Sequence, residues 1–491
     1  MQQQDIPNRD NTGIYRTDPE FKHKLSSGVS GDTLKYCYQC GTCTSVCPIS
    51  KFINIYRPNK IIELCRLGIR NLPQSNAFLF CSACTLCTKK CPQNVRVHEI
   101  MEEMKVLAPE DAETAGFMAK GFDETLEALG GEIPLPLVYS SICLRPPENE
   151  GDAFSDTVKK AFESALDRPY PAEAPLNKDA AKVAVIGSGP AGLTAAWDLR
   201  KAGFDVTVFE ALPEPGGMLR TGIPGYRLPR KYLDDEINRI IALGVVIKLN
   251  TVIDDSFFKN LINECSEYKA VFIATGSYKS RKLGMDGEQL SGVIPAIEFL
   301  KEYNLNRDVK VGGKVVVIGG GNVATDAAGA ATRCGAESVR LFCLEDRKTM
   351  PAHEWEIEDA IKDGVEINAA WGPAEIRGDG SIVTGIRFKR CKSVFDSDGR
   401  FNPAFNEKET QDVEADTVIY AIGQGPDLSF LSKDIATARG SVQADPYTME
   451  TNLPGVFAAG DAVSGTASLV EAITGGKTAA RSIAQYLTSQ E

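Results

Sequence analysis

Two stretches of the 491-residue chain repeat one pattern: a short β-branched strand, a glycine-rich turn and an alanine-rich helix. KVAVIGSGPAGLTAAWDLRKAG begins at Lys182, and KVVVIGGGNVATDAAGAATRCG begins at Lys314. A strand, a G-x-G-x-x-G-like turn and a helix open a doubly wound α/β domain with a largely parallel sheet. The second part of the chain is therefore predicted to form two such Rossmann-like domains.

Eight of the 14 cysteines form two runs, CYQCGTCTSVCP (37–48) and CSACTLCTKKCP (81–92), both spaced C-x2-C-x2-C-x3-C-P. In ferredoxins with this spacing, three cysteines of a run bind one 4Fe–4S cluster and the fourth binds the other. Zinc ribbons and disulfides are the alternatives, and neither explains four cysteines repeated at equal offsets. The spacing predicts one cluster on Cys37, Cys40, Cys43 and Cys91, and a second on Cys81, Cys84, Cys87 and Cys47.

Charge and hydropathy exclude two classes of partner. The net charge is −12, and basic residues do not cluster as they would to bind phosphates, so we expect no nucleic acid partner. No apolar run reaches the roughly 18 residues that span a bilayer, and the N-terminus lacks the apolar core of a signal peptide. We expect a cytoplasmic protein without a transmembrane segment.

Changes in the sequence pattern along the chain indicate where one domain ends and the next begins. Residues 1–30 are polar and aperiodic, which predicts an irregular arm, whereas 61–69 and 97–107 have the apolar spacing of short helices. We predict a helical 2×4Fe–4S ferredoxin-like domain at 1–145, a linker at 146–180 with one helix (155–166), an FAD-binding domain at 181–285 and 415–491, and an NAD(P)-binding domain at 286–414.

The first glycine-rich turn, GSGPAG (187–192), is predicted to bind a dinucleotide. In this motif the first glycine makes the tight turn, the second lets the backbone approach the pyrophosphate, and the third packs the helix on the strand. Glu210 ends the next strand, where a carboxylate can accept hydrogen bonds from a ribose 2′-hydroxyl.

The second turn, GGGNVA (319–324), has Ala324 in place of the third glycine, an accepted substitution. Its next strand ends at Glu345, where a carboxylate favours a free 2′-hydroxyl and repels a 2′-phosphate. We therefore expect NAD(H) rather than NADP(H), although Arg347 and Lys348 lie close enough in sequence to keep NADP(H) open.

Residues 180–491 resemble the glutamate synthase small subunit and the related subunits of NADH-dependent ferredoxin:NADP transhydrogenases. The segments EPGGMLRTGIPGYRLP (214–229), VFIATG (271–276) and TNLPGVFAAGD (451–461) carry this resemblance. Those relatives have a pair of arginines at the positions of Leu344 and Glu345, ahead of a shared MPA segment (350–352). Residues 30–110 are similar to the small iron–sulfur subunit of heterodisulfide reductases.

The resemblance implies FAD in the first turn and NAD(P) in the second. It gives as FAD residues Gly187, Gly189, Pro190, Ala191, Gly192, Glu210, Gly217, Met218, Arg227, Thr275, Gly276, Gly460 and Asp461, with Asp461 on the ribityl chain. It gives as NAD(P) residues Gly319, Gly320, Gly321, Asn322, Val323, Ala324, Glu345, Arg347 and Gly423.

These cofactors predict an oxidoreductase that moves hydride between NAD(P)H and FAD, and single electrons between FAD and the clusters. No paired cysteine stands where disulfide reductases of similar fold have one, so electrons are expected to leave through the clusters toward another redox subunit that contains a ferredoxin or flavin group. A stand-alone reductase like the glutamate synthase small subunit and a non-catalytic electron relay are the alternatives. The transhydrogenase resemblance alone suggests an electron-bifurcating complex.

Overall fold

The computed structural model describes residues 19–27, 31–51, 56–69, 81, 84–107, 169–263, 265–306 and 309–489. Most of the expected N-terminal arm (1–18) and the linker helix at 155–166 lie outside the described residues. The expectation of an irregular arm is wrong for Pro19–Ser27, which form a helix. Phe21 and Leu25 lie one turn apart on one helix face and are both buried, so tertiary packing stabilises this polar segment.

The cysteine-rich region consists of short helices, and the two helices expected from apolar spacing are present. Cys65 and Met104, one from each of these helices, are buried with their sulfur atoms 3.2 Å apart. The α-helices are α1 (Pro19–Ser27), α2 (Thr42–Ser45), α3 (Pro58–Leu67), α4 (Leu86–Lys89) and α5 (Val97–Leu107), with 3-10 helices at Gly31–Tyr36 and Ile49–Lys51.

The remainder of the described chain is α/β. Its helices are α6 (Pro190–Lys201), α7 (Met218–Thr221), α8 (Arg230–Ala242), α9 (Asp255–Ile262), α10 (Ala296–Asn306), α11 (Asn322–Arg333), α12 (Glu354–Lys362), α13 (Asp461–Ser464) and α14 (Leu469–Thr488). Its strands are β1 (Lys182–Ile186), β2 (Asp205–Phe209), β3 (Val246–Lys248), β4 (Tyr268–Ile273), β5 (Lys279–Ser280), β6 (Val293–Pro295), β7 (Lys314–Ile318), β8 (Ser338–Cys343), β9 (Glu366–Ala369), β10 (Trp371–Asp379), β11 (Ile382–Phe395), β12 (Phe401–Glu414), β13 (Thr417–Tyr420), β14 (Gln424–Gly425), β15 (Thr437–Ala438), β16 (Ser441–Val442) and β17 (Val456–Ala458).

The strands form two five-stranded parallel sheets, ordered β17-β4-β1-β2-β3 and β6-β13-β7-β8-β9. Their central strands β1 and β7 are buried from the second residue onward, as expected for parallel strands covered on both faces. The expected α/β fold with two Rossmann-like sheets is confirmed. Among the described residues, no helix is long and apolar enough to cross a bilayer.

The chain passes from the first sheet to the second and back again. Residue Val456 in β17 pairs with Val271 in β4, so a segment that follows the second sheet completes the first. One segment leads from the first sheet to the second and another leads back, and these two connecting segments pair with each other through β5 and β14. The antiparallel sheet β10-β11-β12 lies between β9 and β13 in the chain. In each parallel sheet the glycine-rich turn follows the central strand, where ligands of doubly wound folds bind.

Candidate cluster and dinucleotide sites

The structure brings one predicted cluster set together. Cys37, Cys40 and Cys43 of the first run and Cys91 of the second run line a single cavity. Gly41 (φ +80) and Thr85 (φ +61) occupy equivalent positions in the two runs, and each precedes a four-residue helix, α2 or α4. The two cysteine runs therefore have the same local backbone.

The other predicted set is more deeply buried. Cys47, Cys81 and Cys87 are buried, and Cys84 is partly exposed. The buried Tyr56 lies close to these thiols, and burial together with their negative charge raises its pKa. The Ile49–Lys51 turn that follows Cys47 packs against α14 of the first α/β domain, so this set lies toward that domain.

The donor chemistry fits iron–sulfur clusters. All the described cysteines are free, and four of them, from two runs that are far apart in the sequence, line one cavity. Among the described residues, no three His, Cys, Asp or Glu side chains are arranged to hold a single metal ion. Burial raises the pKa of Cys43 to about 11, so this ligand needs the positive charge of a metal to remain a thiolate at neutral pH.

The glycines of the first cradle, residues 187–192, show the geometry that the motif requires. Gly187 has φ +103, and a Cβ there would lie 2.5 Å from the Ala274 oxygen. A Cβ on Gly192 would lie 2.0 Å from the Gly187 oxygen, whereas a Cβ on Gly189 would have no neighbour within 4 Å. The first and third glycines allow close backbone packing, and the second faces open space, as a pyrophosphate site needs.

Glu210 is held beneath this turn by its own chain. Its Oε2 accepts hydrogen bonds from Ser188 N (2.9 Å) and Ser188 Oγ (2.5 Å), and its Oε1 accepts one from Leu212 N (2.9 Å). The buried carboxylate therefore shapes the turn, while its Oε1 retains capacity for a ribose hydroxyl. The sequence did not reveal the role of Ser188, because x positions of the motif are unrestricted.

Other predicted FAD residues converge on the same turn. Gly217 packs so closely on Gly189 that a Cβ on Gly217 would lie 2.7 Å from the Gly189 Cα. Met218 then begins α7, and Pro190 begins α6. A Cβ on Gly460 would lie 3.1 Å from the Ala191 Cβ.

A buried polar group beside this turn lacks a hydrogen-bond partner in the described part of the protein. Thr275 Oγ1 is buried without a hydrogen-bond partner among the described residues, and next to it Gly276 (φ +70) faces open space. Burial raises the pKa of Asp461 to about 7. A buried, unpartnered hydroxyl beside an open glycine turn fits a polar ligand such as FAD.

The second cradle, residues 319–324, repeats this geometry with different surroundings. Gly319 has φ +142, and a Cβ there would lie 2.4 Å from the Ala421 oxygen, while Gly321 faces open space. A Cβ on Gly320 would lie 2.9 Å from Glu345 Oε2, so the carboxylate lies against the turn. Val323 and the buried Ala324 continue into α11.

The loop at 349–353 covers this second turn. Ala352 N donates to the Gly320 oxygen (2.9 Å), and His353 N donates to Asn322 Oδ1 (3.1 Å). Arg347 points to α12, where its Nη1 and Nη2 donate to Glu354 at 3.0 and 2.5 Å. Gly423 (φ +100) lies in the connecting segment, where its oxygen accepts from Arg281 N.

Arg227 is the predicted site residue whose surroundings differ most from expectation. Its Nε lies 2.6 Å from Asp326 Oδ1, an ion pair without hydrogen-bond alignment, and its Nη1 lies 3.0 Å from Glu356 Oε1. Both carboxylates belong to helices of the second α/β domain. A flavin contact for Arg227 remains a prediction and would have to share the guanidinium with these acids.

Comparison with known families supports both parts of the chain. Residues 181–479 match the model of the pyridine nucleotide-disulphide oxidoreductase family, and residues 33–95 match a 4Fe-4S dicluster domain. A solved structure, FprA of Mycobacterium tuberculosis in complex with NADPH, is 19% identical with a TM-score of 0.53, covering 63% of this chain and 85% of FprA. At this identity the likeness concerns the fold.

Three relatives extend the comparison. The NADP(+)-dependent formate dehydrogenase subunit beta of Moorella thermoacetica is 45% identical over 62% of this chain, which spans only 44% of that relative. The NADPH-Fe(3+) oxidoreductase subunit beta of Geobacter sulfurreducens is 32% identical over 93% of this chain and 71% of its own length. The glutamate synthase [NADPH] small chain of Azospirillum brasilense is 32% identical over 83% of this chain and 87% of its own length.

The resemblance to the glutamate synthase small subunit is thereby confirmed, and so is a two-cluster iron–sulfur region. A family match over more than half of the chain agrees with the two parallel sheets and their two glycine turns. The chain belongs to the pyridine nucleotide-disulphide oxidoreductase family and carries a 4Fe-4S dicluster domain ahead of its two α/β domains.

Proposed function

We propose that this chain is a subunit of a multi-subunit redox enzyme that transfers electrons between NAD(P)H and a partner subunit containing a ferredoxin or flavin group. Bound FAD would exchange hydride with the nicotinamide, and two 4Fe–4S clusters would carry single electrons. The observation that carries the proposal is the cavity lined by cysteines of both runs, in a chain that also has two dinucleotide cradles.

The protein's part in this reaction is binding and alignment. The open faces of Gly189 and Gly321 allow the backbone to approach two pyrophosphates, and α6 and α11 direct their N-termini toward them. Thr275 and Asp461 would contact the FAD, and Cys37, Cys40, Cys43 and Cys91 would hold the first cluster. Hydride transfer between nicotinamide and flavin needs no general acid or base from the chain.

We further propose that NAD(H) is preferred over NADP(H). Glu345 lies against the second turn, where its charge would repel a 2′-phosphate, and Arg347 is engaged by Glu354. The three named relatives are described as NADP- or NADPH-dependent, which makes this a departure from them. The preference is supported by the charge of Glu345 and by the pairing of Arg347 with Glu354.

A cytoplasmic location is also proposed, because thiol ligands persist in a reducing compartment. Membership of an electron-bifurcating complex is supported only by the transhydrogenase resemblance of residues 214–229. The names of the relatives, each a subunit or small chain, support the proposal of partner subunits.

The central proposal is tested on anaerobically purified protein with measured FAD, iron and acid-labile sulfide. NADH or NADPH is added, the sample is freeze-quenched, and EPR spectra are recorded. We expect flavin bleaching together with signals of reduced 4Fe–4S clusters. A protein that contains clusters and bleaches its flavin, but whose clusters never become reduced, would contradict the proposed electron route.

A further inference from the structure

A buried ion triad connects the two α/β domains. Arg227 follows the first cradle in the chain, whereas its partners Asp326 and Glu356 belong to α11 and α12 of the second domain. The side chains of Arg227, Asp326 and Glu356 are only 9%, 12% and 10% exposed. Charged side chains at this depth are usually paired, and here the pairing crosses from one domain to the other.

Each side of the triad is attached to a dinucleotide cradle. The segment 214–229 contacts the first cradle, because Gly217 packs on Gly189. On the other side, α11 begins at Asn322 of the second cradle, and Asp326 lies about one turn into the same helix. The triad therefore links the segment that packs on the first cradle to the helix that begins in the second cradle.

Two further contacts cross the same interface. Asn304 Nδ2 of α10 donates a buried hydrogen bond of 2.9 Å to the Thr221 oxygen. The Arg333 guanidinium of α11 lies over the Tyr226 ring, 3.8 Å from its centroid. We call these contacts the domain latch, formed by Thr221, Tyr226 and Arg227 on one side and Asn304, Asp326, Arg333 and Glu356 on the other.

The latch is suited to fixing an orientation. Arg227 is within ion-pair distance of acids on two different helices at once, through Nε and through Nη1, so both pairs persist only over a narrow range of relative domain positions. Sliding or rotation would separate charges that are removed from water, which is costly for each unpaired group. The neutral contacts of Asn304 and Tyr226 add directional constraints at two more points.

We propose that Arg227 is a positioning residue which, through Asp326 and Glu356, holds the second domain in the orientation that brings a bound nicotinamide to the flavin. The inference rests on the proposed hydride transfer between the two cradles. It assigns Arg227 a role between domains, in addition to any contact with FAD. Misplacing reacting atoms by about 1 Å can slow a reaction about 100-fold.

The test uses FAD- and cluster-loaded protein with Arg227→Gln, Arg227→Lys and Asp326→Asn. Anaerobic stopped-flow measures flavin reduction at saturating NADH, and titration calorimetry measures the Kd of ADP-ribose, which occupies the second cradle without a nicotinamide. We expect Arg227→Gln and Asp326→Asn to slow reduction by about 10- to 100-fold with an unchanged Kd, and Arg227→Lys to recover part of the rate.

A matched control breaks an ion pair of the same type inside one domain. Arg340 of β8 and Glu366 of β9 are 3.0 Å apart, and Glu366→Gln removes this pair without touching the domain latch. We expect its reduction rate to stay within twofold of wild type. If Arg227→Gln fails to fold, the neutral triple variant Arg227→Met/Asp326→Asn/Glu356→Gln removes all three buried charges and should show the slow rate in a folded protein.

Hydrogen–deuterium exchange measures domain docking without turnover. Amides of α7 and α10 should exchange at least severalfold faster in Arg227→Gln than in wild type or Glu366→Gln. A wild-type rate together with wild-type exchange in the folded triad variants would overturn the latch. A wild-type protein that neither nucleotide reduces would instead refute the proposed function, and the exchange experiment would still decide on the latch.

Discussion

The two dinucleotide cradles share a sequence pattern but differ in what their acidic residue does. Glu210 is buried under the first turn and accepts three hydrogen bonds from Ser188 and Leu212. Glu345 is only partly buried and lies against Gly320 at the edge of the second turn. The first acid is largely part of the protein scaffold, whereas the second is the one that we propose contacts the nucleotide.

The cradles also differ in how they are closed. Close backbone contacts surround the first turn, where Gly217 packs on Gly189 and where a Cβ on Gly476 of α14 would lie 2.3 Å from the Ala191 oxygen. The second turn is covered by one loop through Ala352 and His353, next to the exposed Asp346 and Lys348. This difference suits a resident cofactor in the first cradle and an exchangeable nucleotide in the second.

The largest expected effect comes from filling the first cradle. In Gly192→Ala the added Cβ would lie 2.0 Å from the Gly187 oxygen. Because this oxygen belongs to the backbone and cannot move aside as a flexible side chain could, the turn must open. We expect FAD content to fall about tenfold or more, while iron content is retained. In Gly319→Ala the clash is with the Ala421 oxygen, and we expect retained FAD with a nucleotide KM raised about tenfold.

The measurements are the ratio of flavin absorbance to protein, iron content and steady-state KM. Gly380→Ala serves as a control, because Gly380 also has positive φ (+67) but a Cβ there would meet open space. Equal loss of FAD from the Gly192 and Gly319 variants would remove the distinction between a resident and an exchangeable site.

A smaller effect is expected from Glu345→Arg, which converts a repulsive group for a 2′-phosphate into an attractive one. The ratio of kcat/KM for NADPH to that for NADH should rise about 10- to 100-fold. Glu345→Gln removes the charge without adding a cation and should give an intermediate ratio. Unchanged selectivity in steady-state kinetics would show that nucleotide choice is determined elsewhere.

Local patterns in the sequence were sufficient for the fold and for much of the candidate site. Strand–turn–helix units and cysteine spacing are short-range signals, so the two cradles and the pairing of Cys91 with the first run followed from them. The ion triad was missed, because Arg227, Asp326 and Glu356 are far apart in sequence and meet only through tertiary structure. One signal was available, since Asp326 is an isolated acid in the alanine-rich helix NVATDAAGAATR.

Two helices, one associated with each cradle, illustrate the difference between a paired and an unpaired buried acid. Asp326 has Arg227 as a partner, whereas Glu236 of α8, which packs against α6 of the first cradle, has no hydrogen-bond partner for either carboxylate oxygen among the described residues. Burial raises the pKa of Glu236 from 4.5 to about 8, opposed by nearby Arg239 and reinforced by Asp235. Glu236 is therefore expected to be mainly protonated at neutral pH.

Because the folded pKa lies above the unfolded value, the folded state binds the extra proton between about pH 4.5 and 8. In that window Glu236 lowers the free energy of unfolding by up to about 1.4 kcal/mol for each unit that the pH rises. Glu236→Gln has no such proton, so its stability relative to wild type should increase from pH 5 to pH 8. Turnover should change by less than about twofold, since no mechanism proposed here uses Glu236.

Urea unfolding at pH 5, 6.5 and 8 measures this stability difference, and a turnover assay checks that activity changes least in this variant. Glu267→Gln is the control, because Glu267 is 58% exposed and pairs with Lys182 at the surface. Its stability difference from wild type should stay nearly constant over this range, since a carboxylate whose pKa is lowered by a lysine is already ionised at pH 5 and above. If the free energies of unfolding of Glu236→Gln and Glu267→Gln instead change in parallel with pH, the folded protein does not bind an extra proton at Glu236. The carboxylate of Glu236 then has a partner that stabilises its charge.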